Sequence, residues 1–326
     1  STLAWSSAAS DVYKRQLGPS VKQLLTEKNR VVHFIDDGDF NDIPVVFVGG
    51  LGTSVRAIRL LDFLRTMRKD LGIRIISIER NGFGQTEFNS NLTISDYVQD
   101  VEEVLNHLKI NKFSIFGISG GGPYAARIAA KNGPRVASLH MAATPANIGS
   151  KALCETTGEN SEYASLLAYP MKFFEFPKSS SIHKLEGFQD TAYDEAARAH
   201  NVRGQSADPA PLIHEMSLFC KDGVTDTSLL ETDVYVYRGE ADDLLIHESE
   251  VSWKKNYPKA NVTIRSYPGE GHDVQYRHLD QILLDIAGQG PEVLICLKGN
   301  HEMIVPSKVS QSISDGAWLG LCHWEN

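Results

Sequence analysis

A chain of 326 residues, 42% of them hydrophobic, is long enough to bury a full core and too apolar to be disordered. It can form one large α/β domain or a domain carrying an insertion. Its 41 acidic side chains outnumber 32 basic ones, and a net charge of −9 argues against nucleic acid or an anionic membrane surface as the main partner, leaving a small organic molecule.

In chain order, residues 1–16 look unlike the rest of the chain. Asp11-Val12-Tyr13-Lys14-Arg15-Gln16 resembles translated adapter sequence of the kind found in open reading frames from metagenomic assemblies. Residues 1–16 are therefore expected to be non-native or disordered and to take no part in the fold. From there the pattern alternates: Val31–Ile35 and Pro44–Val48 read as strands, Val55–Met67 as a helix, Ile73–Ile78 as a strand. That rhythm predicts parallel βα units and an α/β fold with a mostly parallel central sheet flanked by helices. The next helix opens at Thr93-x-x-Asp96, a capping-box-like start, with Tyr97, Val101, Val104, Leu105 and Leu108 on one face. Ser114–Phe116 and Val136–Ala142 read as strands; after a long gap, Val234–Tyr237 and Val262–Tyr267 complete the series.

The gap is too long for an unstructured loop, so residues 145–230 are expected to form an inserted helical cap on a core of residues 17–144 and 231–290. Aromatic residues in the insert, among them Tyr163, Tyr169, Phe173, Phe174 and Phe176, either line an apolar pocket or form the insert's own core. Gly288-Gln289-Gly290-Pro291 breaks the chain after a helix carrying Leu279, Ile282, Leu283 and Ile286. Residues 291–326 are then a β/α extension with strands at Val293–Leu297 and Trp318–Cys322 around a helix-like Ser307–Ile313.

Cys154, Cys220, Cys296 and Cys322 show no C-x-x-C pair and no zinc-site spacing, so they are expected to be reduced and mostly buried in a cytoplasmic setting. No apolar run approaches the ~18 residues of a membrane span, and the start shows no basic region followed by an apolar stretch. His301 and His323 lack any ligand spacing, and His140, on a core strand, is expected to be a satisfied buried histidine. Neither a metal nor another cofactor is expected.

The most informative run is Phe113-Ser114-Ile115-Phe116-Gly117-Ile118-Ser119-Gly120-Gly121-Gly122, an apolar strand leading through Gly-x-Ser-x-Gly into a helix. A serine on so sharp a strand-to-helix turn needs tiny neighbours two places before and after it, and Gly117 and Gly121 supply them. Its hydroxyl then sits over the first helical turn, where free N–H groups favour developing negative charge. A plain strand-to-helix turn is the structural alternative. A dinucleotide-binding turn needs glycine in place of Ser119 and an acid about 20 residues on, where none stands.

Serine at its ordinary pKa is a poor nucleophile; it needs a histidine base, itself oriented by a carboxylate. Gly239-Glu240-Ala241-Asp242-Asp243 follows one late strand and Gly269-Glu270-Gly271-His272-Asp273 the last. Both loops open at the carboxyl edge of the sheet, beside the elbow. In the order Ser, Asp, His, the chain resembles the α/β-hydrolase superfamily over roughly residues 30–290. The resemblance implies Ser119 as nucleophile, Asp242 in Gly-x-x-Asp as acid and His272 in Gly-His as base. Glu240 and Asp243 compete for the acid's role. The implied oxyanion donors are the backbone N–H of Gly120, directly after the nucleophile, and that of Leu51 in Gly49-Gly50-Leu51-Gly52-Thr53-Ser54, which begins Gly-Gly where the family usually has His-Gly.

Glu79-Arg80-Asn81-Gly82-Phe83-Gly84-Gln85-Thr86 resembles the superfamily's Arg-x-Gly-x-Gly-x-Ser turn, and Arg80 is expected to pin that loop as scaffold. Together these features imply a cofactor-independent serine esterase with a cap, acting on a small, largely apolar ester. Gly271-His272-Asp273-Val274-Gln275-Tyr276 also resembles a run common in enzymes that hydrolyse a carbon–carbon bond of dienoic ring-cleavage products. Lactone hydrolysis and cofactor-free peroxidation use the same triad. A non-catalytic ligand receptor on this scaffold is the reading of a different class. A serine nucleophile fits epoxide hydrolases and haloalkane dehalogenases poorly, and the oxyanion loop lacks the proline of proline iminopeptidases.

Overall fold

The computed structural model describes residues 18–146, 208–221, 225–243 and 249–322. The expected segment 1–16, most of the expected cap with its aromatic residues, Cys154 and His323 lie outside the described residues.

The described chain opens with β1 (Lys22–Leu25), β2 (Val31–Asp37) and β3 (Ile43–Val48), followed by a 3₁₀ helix (Val55–Leu64) and α1 (Arg65–Asp70). The sequence pattern predicts one helix over Val55–Met67. It winds as 3₁₀ over Val55–Leu64 instead, burying Val55, Ala57, Ile58, Leu60, Leu61 and Leu64, and turns α-helical only from Arg65. Next come β4 (Ile73–Ile78), α2 (Ile94–His107), β5 (Phe113–Ile118), α3 (Gly122–Asn132), β6 (Val136–Ala142) and α4 (Ala210–Lys221). The capping box opening α2 is present in full: Thr93 Oγ1 accepts the Asp96 N–H, and Asp96 accepts the Thr93 N–H. Then β7 (Asp233–Gly239), α5 (Glu250–Asn256), β8 (Val262–Tyr267), α6 (Val274–Arg277) and α7 (Leu279–Ile286) complete the main unit.

Eight strands form one sheet in the order β1-β2-β4-β3-β5-β6-β7-β8. Strands β3 to β8 are parallel, while β2 runs antiparallel to β4 and to β1. Alternation along the strands divides the core. Val46 and Val48 join Val101, Val104 and Leu105 of α2 and Tyr124 and Ile128 of α3 on one face. Val45 and Phe47 join the 3₁₀ helix and Ile282, Leu283 and Ile286 of α7 on the other. Each fully buried aliphatic side chain contributes about 1.5–3 kcal/mol, so these two layers hold the strand ends that carry the site.

Beyond Gly290, β9 (Val293–Leu297) pairs antiparallel with β10 (Asn300–Ile304) and β11 (Trp318–Leu319), with α8 (Val309–Ser314) between them in sequence. β10 is polar and exposed and carries no strand signal in its sequence. β11 is shorter than Trp318–Cys322 because Gly320, at φ +113°, turns the chain away. Leu319 and Leu321 pack on the core face formed by α7, and the Leu321 N–H donates to Asp280 Oδ2 at 2.9 Å.

Contrary to the expectation from sequence, the described cysteines are not reduced. Cys296 and Cys322 form a disulfide, with Cα atoms 4.9 Å apart. Antiparallel pairing of β11 on β9 brings them together, a proximity that residues 26 apart in sequence do not announce. Cys220 is disulfide-bonded too, and no described cysteine is free. Disulfides persist mainly in oxidising compartments, so the cysteines do not support a cytoplasmic setting. Among the described residues no helix is long and apolar enough to cross a membrane.

Candidate active site

Ser119 follows β5, a fully buried strand between β3 and β6. Its φ of +48° is the left-handed conformation that a sharp elbow demands of a non-glycine residue. A Cβ on Gly121 would lie 2.3 Å from the Val48 carbonyl oxygen and 2.5 Å from that of Gly49. A Cβ on Gly117 would lie 2.8 Å from Ala125 Cβ. The two glycines singled out in the sequence are thus where the chain tolerates no side chain.

His272 reaches the elbow from the loop after β8. Its Nε2 lies 2.8 Å from Ser119 Oγ and its Nδ1 2.9 Å from Asp242 Oδ2. Because a carboxylate only accepts, the Nδ1–H donates to Asp242, which leaves Nε2 to accept the serine hydroxyl proton. The loops carrying the two residues are joined by backbone bonds: the Glu240 N–H donates to the Tyr267 carbonyl at 3.1 Å and the Ala241 N–H to that of Glu270 at 2.9 Å. Asp242 is buried at 4% exposure, whereas Glu240 and Asp243 face solvent. The structure therefore brings Asp242, and neither competitor, to His272.

The loop after β3 lies over the elbow. A Cβ on Gly120 would stand 2.9 Å from Leu51 N, so the two backbone donors expected from the sequence are neighbours. The means by which this loop is held differs from the expectation. The Arg80 carbonyl accepts the Phe83 N–H of its own turn at 3.1 Å, but its side chain bonds the carbonyls of Gly49 (Nη1, 2.6 Å) and Gly50 (Nη2, 2.5 Å). Its Nε pairs with Glu215 Oε1 of α4 at 2.6 Å, and Glu215 Oε2 accepts the Gly52 N–H at 2.7 Å. Burial works against the Arg80 charge, but Glu215, Tyr124, Tyr97 and Glu79 together outweigh it and hold the guanidinium above its ordinary pKa; burial pushes the Glu215 carboxyl up while Arg80 pulls it back. Beneath them, burial pushes Glu79 up to about 8, although its Oε1 accepts the Val55 N–H at 2.9 Å. One signal for Glu215 is legible in the sequence: it is the one charged side chain on an otherwise apolar helix face with Pro211, Leu212, Met216 and Phe219.

Elsewhere, His140 is fully buried between Ser138 Oγ (2.8 Å) and Tyr237 Oη (2.9 Å). Burial, helped by Arg265, lowers its pKa to about 3. His301 Nε2 accepts the Cys322 N–H at 2.7 Å. Among the described residues no group of three or more His, Cys, Asp or Glu side chains is arranged to hold a metal ion.

A profile of the alpha/beta hydrolase fold matches residues 43–311, running past Gly290 into the tail. The chain belongs to the α/β-hydrolase fold family. No curated protein matches it in sequence. Among solved structures, the fold is similar to that of a carboxylesterase from the ammonia-oxidizing thaumarchaeon Nitrososphaera gargenis (20% identity, TM-score 0.58, 82% of this chain and 99% of that one). It is also similar to an esterase from Exiguobacterium antarcticum (16%, 0.60, 83% and 99%) and to a thermophilic esterase from Thermogutta terrifontis (18%, 0.60, 83% and 97%).

Proposed function

We propose that the protein is a serine hydrolase that cleaves small, largely apolar carboxylic esters through Ser119, His272 and Asp242. The observation that carries this reading is the single imidazole of His272 bridging Ser119 Oγ and Asp242 Oδ2 at 2.8 and 2.9 Å. Esterases among the proteins of similar fold agree with it.

In this mechanism His272 Nε2 takes the hydroxyl proton as Ser119 Oγ attacks the ester carbonyl, and Asp242 stabilises the imidazolium through Nδ1–H. The backbone N–H groups of Leu51 and Gly120 receive the oxyanion. The imidazolium gives its proton to the leaving alkoxide, which departs as the alcohol and leaves an acyl-Ser119 ester. Water, deprotonated by the same Nε2, then attacks that ester, releases the acid and restores the serine. No cofactor enters this sequence.

The test is hydrolysis of p-nitrophenyl acetate, butyrate and octanoate by the wild type and by Ser119→Ala, with intact mass after a fluorophosphonate probe. Turnover and a covalent adduct, both lost in Ser119→Ala, are expected. A wild type with neither would overturn the hydrolase reading and favour a ligand receptor, which a substrate-like ligand would stabilise without being consumed.

A further inference from the structure

We propose that Arg80, Glu215 and Thr53 are positioning residues that aim the Leu51 N–H into the oxyanion hole by clamping the Gly50–Leu51 peptide. The proposal rests on the hydrolase reading for its catalytic consequence, and its geometry stands apart from that reading.

The carbonyl of Gly50 and the N–H of Leu51 belong to one planar, trans peptide unit, so they point in opposite directions. Whatever holds the carbonyl aims the N–H. The Gly50 oxygen accepts from Arg80 Nη2 at 2.5 Å, from the Thr53 hydroxyl at 2.7 Å and from the Thr53 N–H at 3.2 Å. These three donors fix the orientation of the peptide whose other end is the Leu51 N–H, and the Leu51 nitrogen lies beside Gly120. The preceding carbonyl, of Gly49, is held by the same guanidinium, and the following donor, of Gly52, by Glu215. Peptides on both sides of the Leu51 N–H are therefore fixed, and a donor fixed before reaction needs no reorganisation as charge develops.

Arg80 does not touch substrate. It is 4% exposed, its Nη1, Nη2 and Nε face the Gly49 carbonyl, the Gly50 carbonyl and Glu215, and its guanidinium lies 5.2 Å from the Tyr124 ring centre and 5.9 Å from that of Phe83. Its planar fork suits two adjacent carbonyls in a way that a lysine ammonium does not. Glu215, 2% exposed, offers one oxygen to the arginine and the other to the loop. Helix α4 is thereby tied to the oxyanion loop 163 residues earlier in the chain.

The test compares Arg80→Lys, Thr53→Val and Thr53→Ser with the wild type in three assays: p-nitrophenyl butyrate kinetics, inhibition by an alkyl trifluoromethyl ketone, and hydrogen exchange of the Gly52 amide. The ketone forms a tetrahedral oxyanion on the serine and so reports on the hole itself. Arg80→Lys is expected to lose about 10- to 100-fold in kcat, with KM little changed and the ketone Ki rising in proportion. Thr53→Val is expected to lose a smaller factor in the same pattern and to exchange Gly52 faster, and Thr53→Ser to recover most of both. Should Arg80→Lys fail to fold, the Thr53 pair decides. Equal behaviour of valine and serine there, or a folded variant that loses kcat while binding the ketone as the wild type does, overturns the proposal. If the wild type proves inactive, the hydrolase reading fails alone: a protected Gly52 amide that Thr53→Val exposes still supports the clamp, and an unprotected one refutes it.

Discussion

Replacing Cys322 with serine opens the loop that the Cys296–Cys322 bond closes. Cys322 is the better site, because Cys296 is fully buried and a hydroxyl there would need a partner of its own. With the cysteines 26 residues apart, the chain-entropy relation gives about 3.5 kcal/mol of lost stabilisation. The loss falls first on the tail, since among the described residues β9, β10 and β11 pair only with one another. It reaches the main unit through α7, where Gln281 Oε1 accepts the Leu294 N–H at 2.7 Å and Asp280 Oδ2 that of Leu321 at 2.9 Å. The assay is native-state hydrogen exchange by mass spectrometry, wild type against variant. A reductant is unsuitable, because Cys220 is disulfide-bonded as well. Amides of Val293–Leu297 are expected to exchange about two to three orders of magnitude faster in the variant, about 1.4 kcal/mol corresponding to each tenfold. Amides of β5 and β6 are expected to change far less. Unchanged exchange in β9 would refute the reasoning, because the strand pairing would then hold the tail without the cross-link.

Asp242→Asn is expected to cut kcat by about 10⁴ while the fold persists, whereas Glu240→Gln and Asp243→Asn, on exposed side chains, stay near wild type; steady-state kinetics of the three separates them. Glu79 is held up to about 8 in the folded protein from an ordinary 4.5, so the native state binds its proton more tightly than the unfolded chain does. Its contribution to stability is whole below about 4.5 and fades as pH rises to about 8. Urea midpoints for Glu79→Gln should therefore gain on wild type across that window and stop gaining above it; a constant difference would contradict the assignment. His140, held down to about 3 by burial, acts in the opposite sense: stability falls as pH drops from 6.5 toward 3, and a neutral replacement such as His140→Gln should lessen that acid loss in the same melts. Gly121→Ala places a Cβ 2.3 Å from one carbonyl oxygen and 2.5 Å from another, so the elbow must shift; expected are a lower melting temperature and loss of fluorophosphonate labelling, and wild-type values for both would show the elbow to be more pliable than its contacts imply.

Much of the fold is legible in the sequence because its causes are local. The runs at Ile73–Ile78 and Val136–Ala142, mostly apolar and buried, are strands to the residue, since buried parallel strands need little besides near-continuous hydrophobicity, and Val262–Tyr267, rich in β-branched and aromatic residues, is one as well. The box at Thr93 and Asp96 is written in two side chains three residues apart. The elbow is legible in its motif: Gly117 makes room for Ala125 eight residues on, although the need for glycine at 121 is set by the distant carbonyls of Val48 and Gly49. The edge strands β1 and β10 are not legible, because their exposed, mixed residues become strands only through the neighbours they pair with. Three acids stand within four residues of one loop, and only folding decides that Asp242 turns inward to His272. The disulfide and the Arg80–Glu215 pair join residues that sequence separation leaves unconnected. Covalent geometry and hydrogen-bond range act over a few ångströms in space, so the sequence by itself marked the nucleophile's turn and, through its resemblance, the triad, while the tertiary structure alone decided that Asp242 is buried against His272 as its neighbours face solvent, which cysteines bond and which guanidinium holds the oxyanion loop.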